Sequence, residues 1–259
     1  MLILGCDTSS IASGALIRVE DAAASGRPYA GPVEVLGAFR TEDTRSHAEV
    51  MAPGVEELLR AAGVEGPELG MVLTGVGPGP FTGLRAGIVT ARTLAWAWGT
   101  QVRGVVSLDA VAEAAHDAAR AAGHRILRVV TDARRREVYA ADYEILEEGY
   151  RRAAGPAVGP AAEIGAALYP AAADGEPAED AEPAPAAPSA EPPVAGRGAL
   201  LYPESLTALP GHDAVQPTAE DLVRAALRAG LDAASTGTSP LYLRGSDARV
   251  PAPRKRALR

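Results

Sequence analysis

Lysine is almost missing from this 259-residue chain: of 25 basic residues only Lys255, near the end, is a lysine. That scarcity excludes a Walker-type phosphate-loop lysine and an interior Schiff-base lysine. Cysteine is just as scarce. Cys6 alone cannot close an internal disulfide, and its apolar flank predicts a buried, inert thiol, as suits a reducing cytoplasm. Aromatic residues make up 4% of the chain and none interrupts its arginine clusters, so no base-stacking platform is expected there. No apolar run approaches the roughly eighteen residues of a membrane span, and the first residues carry no basic region before Asp7, so neither a membrane partner nor a signal peptide is expected. His47, His116, His124 and His212 include no pair three or four residues apart, the spacing that sets two ligands on one helical face. No metal site is expected.

What remains is 47% apolar and 22% charged, enough for one large domain or two small lobes. The net charge of −8 is unevenly placed. Asp174, Glu176, Glu179, Asp180, Glu182 and Glu191 lie together with seven prolines between Pro170 and Pro193, and without a single base. Setting those six acids aside leaves 27 against 25 bases, so the folded part is nearly neutral. Residues 170–194 hold too little apolar surface to offset their ordering entropy and read as a disordered acidic insertion.

Short apolar runs predict strands at Leu2–Leu4, Ala12–Val19 and Val33–Arg40, then at Leu69–Thr74 and Val102–Val106. Helical periodicity marks Ser46–Leu59, Leu84–Trp98 and Leu108–Ala122. Ser46 and Glu49 have capping-box spacing, while Pro53-Gly54 predicts a kink or break. A second set follows, with strands at Arg125–Thr131 and Glu137–Ile145 and, beyond the insertion, a helix at Ala219–Ala229 capped by Thr218. The order is βββαβα with a degraded second copy: an α/β protein of two unequal lobes.

Three features carry chemistry. The loop from Gly75 to Gly83 fits neither a Walker frame nor a dinucleotide fingerprint, and Pro78 and Pro80 lack the N–H groups that cradle phosphate. Asp7-Thr8-Ser9 places a carboxylate and two hydroxyls at a strand end, where α/β folds often bind ligands. Gly83, Gly87, Ala91 and Ala95 recur every four residues, a slim stripe that lets another element approach closely. Two readings of the stripe stand side by side, close packing on the chain's own sheet and a subunit interface; the interface is the sharper one. Arg134-Arg135-Arg136 and the tail Arg254-Lys255-Arg256 with Arg259 could touch RNA phosphates, or be ordinary solvated turns and ends.

Ile3-Leu4-Gly5-Cys6-Asp7-Thr8-Ser9, Ser46-His47-Ala48-Glu49, the run from Gly77 to Gly87 and Gly104-Val105-Val106-Ser107-Leu108 together resemble the TsaB (YeaZ) family, densely over about the first 115 residues, with fainter echoes at Asp132-Ala133-Arg134 and Tyr242-Leu243-Arg244. The resemblance implies a two-lobed fold of the acetate and sugar kinase/Hsc70/actin type, RNase H-like with mixed sheets. Its expected lobes are 1–106, bearing the partner-binding helices, and a smaller, degraded 107–259. It also implies a non-catalytic subunit that dimerises with TsaD and works with TsaE. That machinery transfers threonylcarbamoyl to N6 of adenosine 37 in tRNAs reading codons that begin with A. Carried over by motif, the partner-binding residues would be Ser46, His47, Glu49, Met51, Gly83, Leu84, Arg85, Gly87, Ile88, Ala91 and Ala95. A vestigial nucleotide site would comprise Asp7, Thr8, Ser9, Gly77 and Gly79. No cofactor and no catalytic residue are expected; a homodimer through the same helices and weak or indirect tRNA contact remain open. The alternative is an ATP-dependent phosphotransferase or peptidase-like enzyme of the same fold. The H-x-x-x-H metal motif of TsaD-like proteins falls here near Leu108 and Ala112, which cannot ligate, and Pro80 stands where the family commonly has serine.

Overall fold

A computed structural model describes residues 1–41, 47–169, 187–234 and 237–244. Ser46 with its expected capping box, most of the 170–194 insertion and the basic tail lie outside the described residues.

The first sheet comprises β1 (Leu2–Asp7), β2 (Ser13–Val19), β3 (Val33–Arg40), β4 (Met71–Gly75) and β5 (Gln101–Val105), in the order β3-β2-β1-β4-β5. The opening strands pair antiparallel, and β4 and β5 add in parallel. Helices α1 (His47–Ala62) and α2 (Phe81–Trp98) make its crossovers. Helix α3 (Ser107–Ala121) leads to a second sheet of β6 (Ile126–Arg134), β7 (Glu137–Ile145), β8 (Tyr150–Pro160) and, after α4 (Ile164–Leu168), β9 (Val194–Ala195). Its order is β8-β7-β6-β9, with β9 parallel to β6. Each sheet therefore opens with two hairpins and then lays a parallel strand beside its own first strand. The degraded second copy is visible as the same plan with fewer parallel strands among the described residues.

Strand periodicity decides what each face covers. On β1, Leu4 and Cys6 point to a core shared with Met51, Val55 and Leu59 of α1 and Ala91 and Ala95 of α2. Ile3 points the other way, with Ile17 and Leu73, onto Leu222, Val223 and Ala226 of α6 (Ala219–Ala229), which follows α5 (Arg197–Leu201). Gly5 lets α6 approach: a Cβ there would lie 2.7 Å from the Ala219 carbonyl oxygen. Helix α3 instead packs Leu108, Val111, Ala112 and Ala115 on Leu127, Val129 and Tyr143 of the second sheet. Leu108 and Ala112 are thus core residues. Although α6 follows the second sheet in the chain, it underlies the first, a difference from a lobe drawn by sequence order as 107–259. The two sheets are tied by exchanged helices.

Two local expectations fare differently. Thr218 does cap α6, its Oγ1 accepting the Asp221 N–H at 3.1 Å. Pro53, by contrast, does not break α1, which runs unbroken from His47 to Ala62. Pro53 is exposed and its missing N–H removes one helical bond, while Met51, Val55, Leu58 and Leu59 stay anchored in the core. Opposite α3, a bidentate Arg128–Asp142 pair at 2.7 and 2.9 Å is buried across β6 and β7, with the Tyr169 hydroxyl donating to Asp142 at 3.0 Å.

Candidate functional site

The strand end at Asp7 is where sequence reasoning and structure meet most closely. The Asp7 carboxylate is fully buried. Its Oδ1 accepts the Ser9 N–H at 2.9 Å and the Ser9 hydroxyl at 2.7 Å, and its Oδ2 accepts the Ser107 hydroxyl at 2.6 Å. Ser107 Oγ in turn accepts the Gly77 N–H at 3.1 Å. Thr8 Oγ1 donates to the Gly83 carbonyl at 2.8 Å, so Thr8 is spent on the first turn of α2. Desolvation raises the Asp7 carboxyl above its ordinary value, and the bonds from Ser107 and Ser9 offset only part of that rise. Burial, with the Asp7 charge beside it, pushes the Cys6 thiol up to about 12, the inert thiol expected.

The structure brings Asp7, Thr8, Ser9, Gly77 and Gly79 together, but closed on one another. A Cβ on Gly79 would stand 2.5 Å from the Ser9 carbonyl oxygen, and one on Gly75 would fall onto the Asp7 carboxylate. The glycines thus let the loop settle onto the turn. What this arrangement does chemically is clasp β1 to the start of α3. Ser107, its central hydroxyl, was missed as a site residue; the signal was its place inside the quoted Gly104–Leu108 motif.

Among the partner-binding residues, the stripe requires correction. Gly83, Leu84, Gly87, Ile88, Ala91 and Ala95 are all buried against the chain's own elements. A Cβ on Gly87 would lie 2.2 Å from Thr8 Oγ1, and one on Gly83 2.6 Å from His47 Nδ1. Ala91 and Ala95 meet the β1 side chains, and Leu84 and Ile88 close on Val76. His47 and Met51 are buried with them. The slim stripe exists because α2 must lie close to the β1 turn and α1, which is the other reading its spacing allowed. Glu49 and Arg85 are exposed. Arg85 Nε donates to the Tyr242 hydroxyl at 2.8 Å, where the returning chain also bonds Leu241 N–H to the Val76 carbonyl. The opposite face of α2 is the one without cover: Val89 is 60% and Trp96 84% exposed. Their spacing of seven, two helical turns, was the overlooked signal.

The basic triplet forms the β6–β7 hairpin tip. Arg134, Arg135 and Arg136 have φ of 64°, 55° and 64°, left-handed values that cost non-glycine residues roughly 1–2 kcal/mol each. Asp132 Oδ1 steadies the tip by accepting the Arg134 N–H at 2.7 Å. Among the described residues no three His, Cys, Asp or Glu side chains converge as metal ligands, and no helix is long and apolar enough to cross a membrane.

Two sheets on one repeated plan, joined by exchanged helices, define the two-lobed acetate and sugar kinase/Hsc70/actin class, RNase H-like with mixed sheets. The chain belongs to the family described as TsaD, tRNA N6-adenosine threonylcarbamoyltransferase, whose sequence model matches residues 35–208, and its resemblance to TsaB (YeaZ) proteins is borne out. It is 45% identical over 130 residues, half of this chain and 56% of the relative, to an uncharacterized protein of Mycobacterium tuberculosis. It is 29% identical over 147 residues, 56% of each chain, to the Bacillus subtilis tRNA threonylcarbamoyladenosine biosynthesis protein TsaB. The chain thus spans little more than half the length of these curated relatives. Among solved structures, YeaZ from Pseudomonas aeruginosa superposes with a TM-score of 0.66 at 26% identity, covering 93% of this chain and 100% of that one.

Proposed function

We propose that this chain is a non-catalytic subunit in the making of threonylcarbamoyladenosine on tRNA, acting in the cytoplasm by pairing with a TsaD-type catalytic subunit and working beside TsaE. The observation that carries the pairing is the bare outer face of α2, where Trp96 and Val89 stand in solvent while the inner face is sealed. Exposed aromatic anchors of this kind carry much of the binding energy when a partner covers them. The non-catalytic reading is supported by the clasp at Asp7, whose carboxylate and hydroxyls are consumed by internal bonds. The relatives named for threonylcarbamoyladenosine synthesis supply the pathway.

The test is co-elution of the purified chain with its TsaD-type partner in size-exclusion chromatography. Trp96→Glu should abolish the complex, and, because the side chain touches solvent, should shift the thermal midpoint by no more than about 2 °C. A Trp96→Glu/Val89→Glu chain that still co-elutes at the wild-type position would remove the outer face of α2 from the interface. Magnesium-ATP binding to the isolated chain at micromolar concentration would favour the enzyme alternative instead.

A further inference from the structure

Three adjoining cavities run from the junction of the two sheets to the gap between β2, β3 and the start of α6. The largest, about 430 Å³, is lined by Arg40 at the end of β3, by Arg197 at the start of α5, and by Gln216 and Thr218. It shares Arg197 and Gln216 with a smaller cavity of about 80 Å³ that reaches Ser10, Asp132 and Arg134. It shares Arg40 and Thr218 with a third, about 260 Å³, that ends on Phe39. One trough therefore leads from the foot of the arginine hairpin to the end of β3, with arginines at its mouth and at both junctions.

The charges along it are not balanced. Arg134 is held by Asp132 at 3.1 Å, and Glu220 by Arg224 at 3.0 Å. Asp221, which also lines the largest cavity, accepts the Thr218 hydroxyl at 2.6 Å, and burial raises its carboxyl above the ordinary value. Arg40 and Arg197 are exposed and have no ion-pair partner among the described residues. Ser10 donates to Gln216 Oε1 at 2.7 Å, a strut that holds the two walls at fixed separation. Guanidinium groups spaced along a trough, rather than converging on one point, suit a polymer of phosphates better than a single anion. The net charge of −8 makes this local concentration the more telling, since the field of the whole chain does not favour a polyanion.

We propose that the trough binds the phosphodiester backbone of single-stranded RNA, with Arg40 and Arg197 each taking a phosphate and the Arg134–Arg136 tip guiding the strand in. The contact is to backbone alone and reads no sequence. It stands apart from the pairing reading, since the trough and the outer face of α2 share no lining residue.

The experiment measures fluorescence anisotropy of a fluorescein-labelled oligo(U) octamer with the full chain, from 50 to 200 mM salt. Wild type should bind with affinity that falls as salt rises. Arg40→Gln/Arg197→Gln should weaken binding at least tenfold and reduce the salt slope by about one for each arginine, while each single variant shows a smaller loss. Arg18→Gln, on β2 and paired with Glu34 away from the trough, should bind as wild type does. Both trough arginines are exposed and have no ion-pair partner among the described residues, so the thermal midpoint should not move. An octamer that fails to bind at 50 mM salt, a double variant with wild-type affinity, or pyrophosphate that displaces the octamer at equal phosphate concentration overturns the proposal; the last would mark a small-anion site.

Discussion

Where β1 ends lie Asp7–Ser9, and where β6 ends lie Asp132–Arg134; in both stretches the aspartate Oδ1 accepts the N–H two residues on, at 2.9 and 2.7 Å. The two sheets repeat one plan, so these are matching corners of the two halves. Asp7 is bonded by Ser9 and Ser107 and covered closely by Gly75, while Gly79 packs on Ser9 beside it. Around Asp132 stand Arg134, Arg135 and Arg136, which cannot be closed over and remain exposed. The backbone device is shared, and the residues next to it decide whether the corner becomes part of the core or part of the surface. A carboxylate at a strand end is thus not in itself a ligand site. What matters is whether its acceptor capacity is left over.

The largest effect that would break this contrast comes from filling the closed corner. Gly75→Ala puts a methyl group onto the Asp7 carboxylate and within 2.6 Å of Ser107 Oγ, against a strand that cannot yield. A loss of about 3 kcal/mol is expected, read as a lower urea midpoint at unchanged slope. A variant as stable as wild type would mean that the clasp is loose.

The next effect is a pH dependence. Because the Asp7 carboxyl lies above its unfolded value of 3.8 in the folded state, folding favours its protonated form. Its contribution is most favourable below pH 4 and is lost as pH rises through the window between the unfolded value and the raised folded one. Asp7→Asn cannot titrate. The stability of wild type relative to Asp7→Asn should therefore fall as pH climbs from about 4 through that window and level off above it. Using the difference removes Asp109 and Asp221, which burial shifts the same way. A difference that rises with pH would show that the bonds from Ser9 and Ser107 outweigh desolvation.

Much of the closed corner was legible in the sequence, and little of the open one. Period-two and period-3.6 patterns located the strands of the first sheet and helices α2, α3 and α6, because each buries one face in a regular core. Asp7, Thr8, Ser9, Gly77 and Gly79 were recognisable as a cluster, since motif spacing reports proximity. Spacing does not report direction: Gly83, Gly87, Ala91 and Ala95 permit a close neighbour without saying whether it is the chain's own sheet or another subunit. The trough was invisible for another reason. Arg40, Arg197 and Gln216 are far apart in the chain, and only the exchange of α3 and α6 brings the two sheets' ends together. The strand β8 was missed because Tyr150–Pro160 carries two glycines, two prolines and little alternation.

The smallest effect sharpens the comparison at the open corner. If Arg136 tolerates left-handed backbone only because it is wanted there as a charge, a residue that prefers that backbone should stabilise the fold. Arg136→Gly supplies the residue that the second position of a two-residue hairpin turn favours. A gain of about 1 kcal/mol is expected, or about 2 °C in thermal midpoint for a chain of this size, since the flanking ladder of β6 and β7 is untouched. The closed corner should not respond, as no hydrogen bond joins the triplet to Asp7 or Ser107 among the described residues. No gain, or a loss, would mean that Arg136 holds the tip through contacts of its own, and that the tip's geometry is a product of packing rather than a strain kept for its charge.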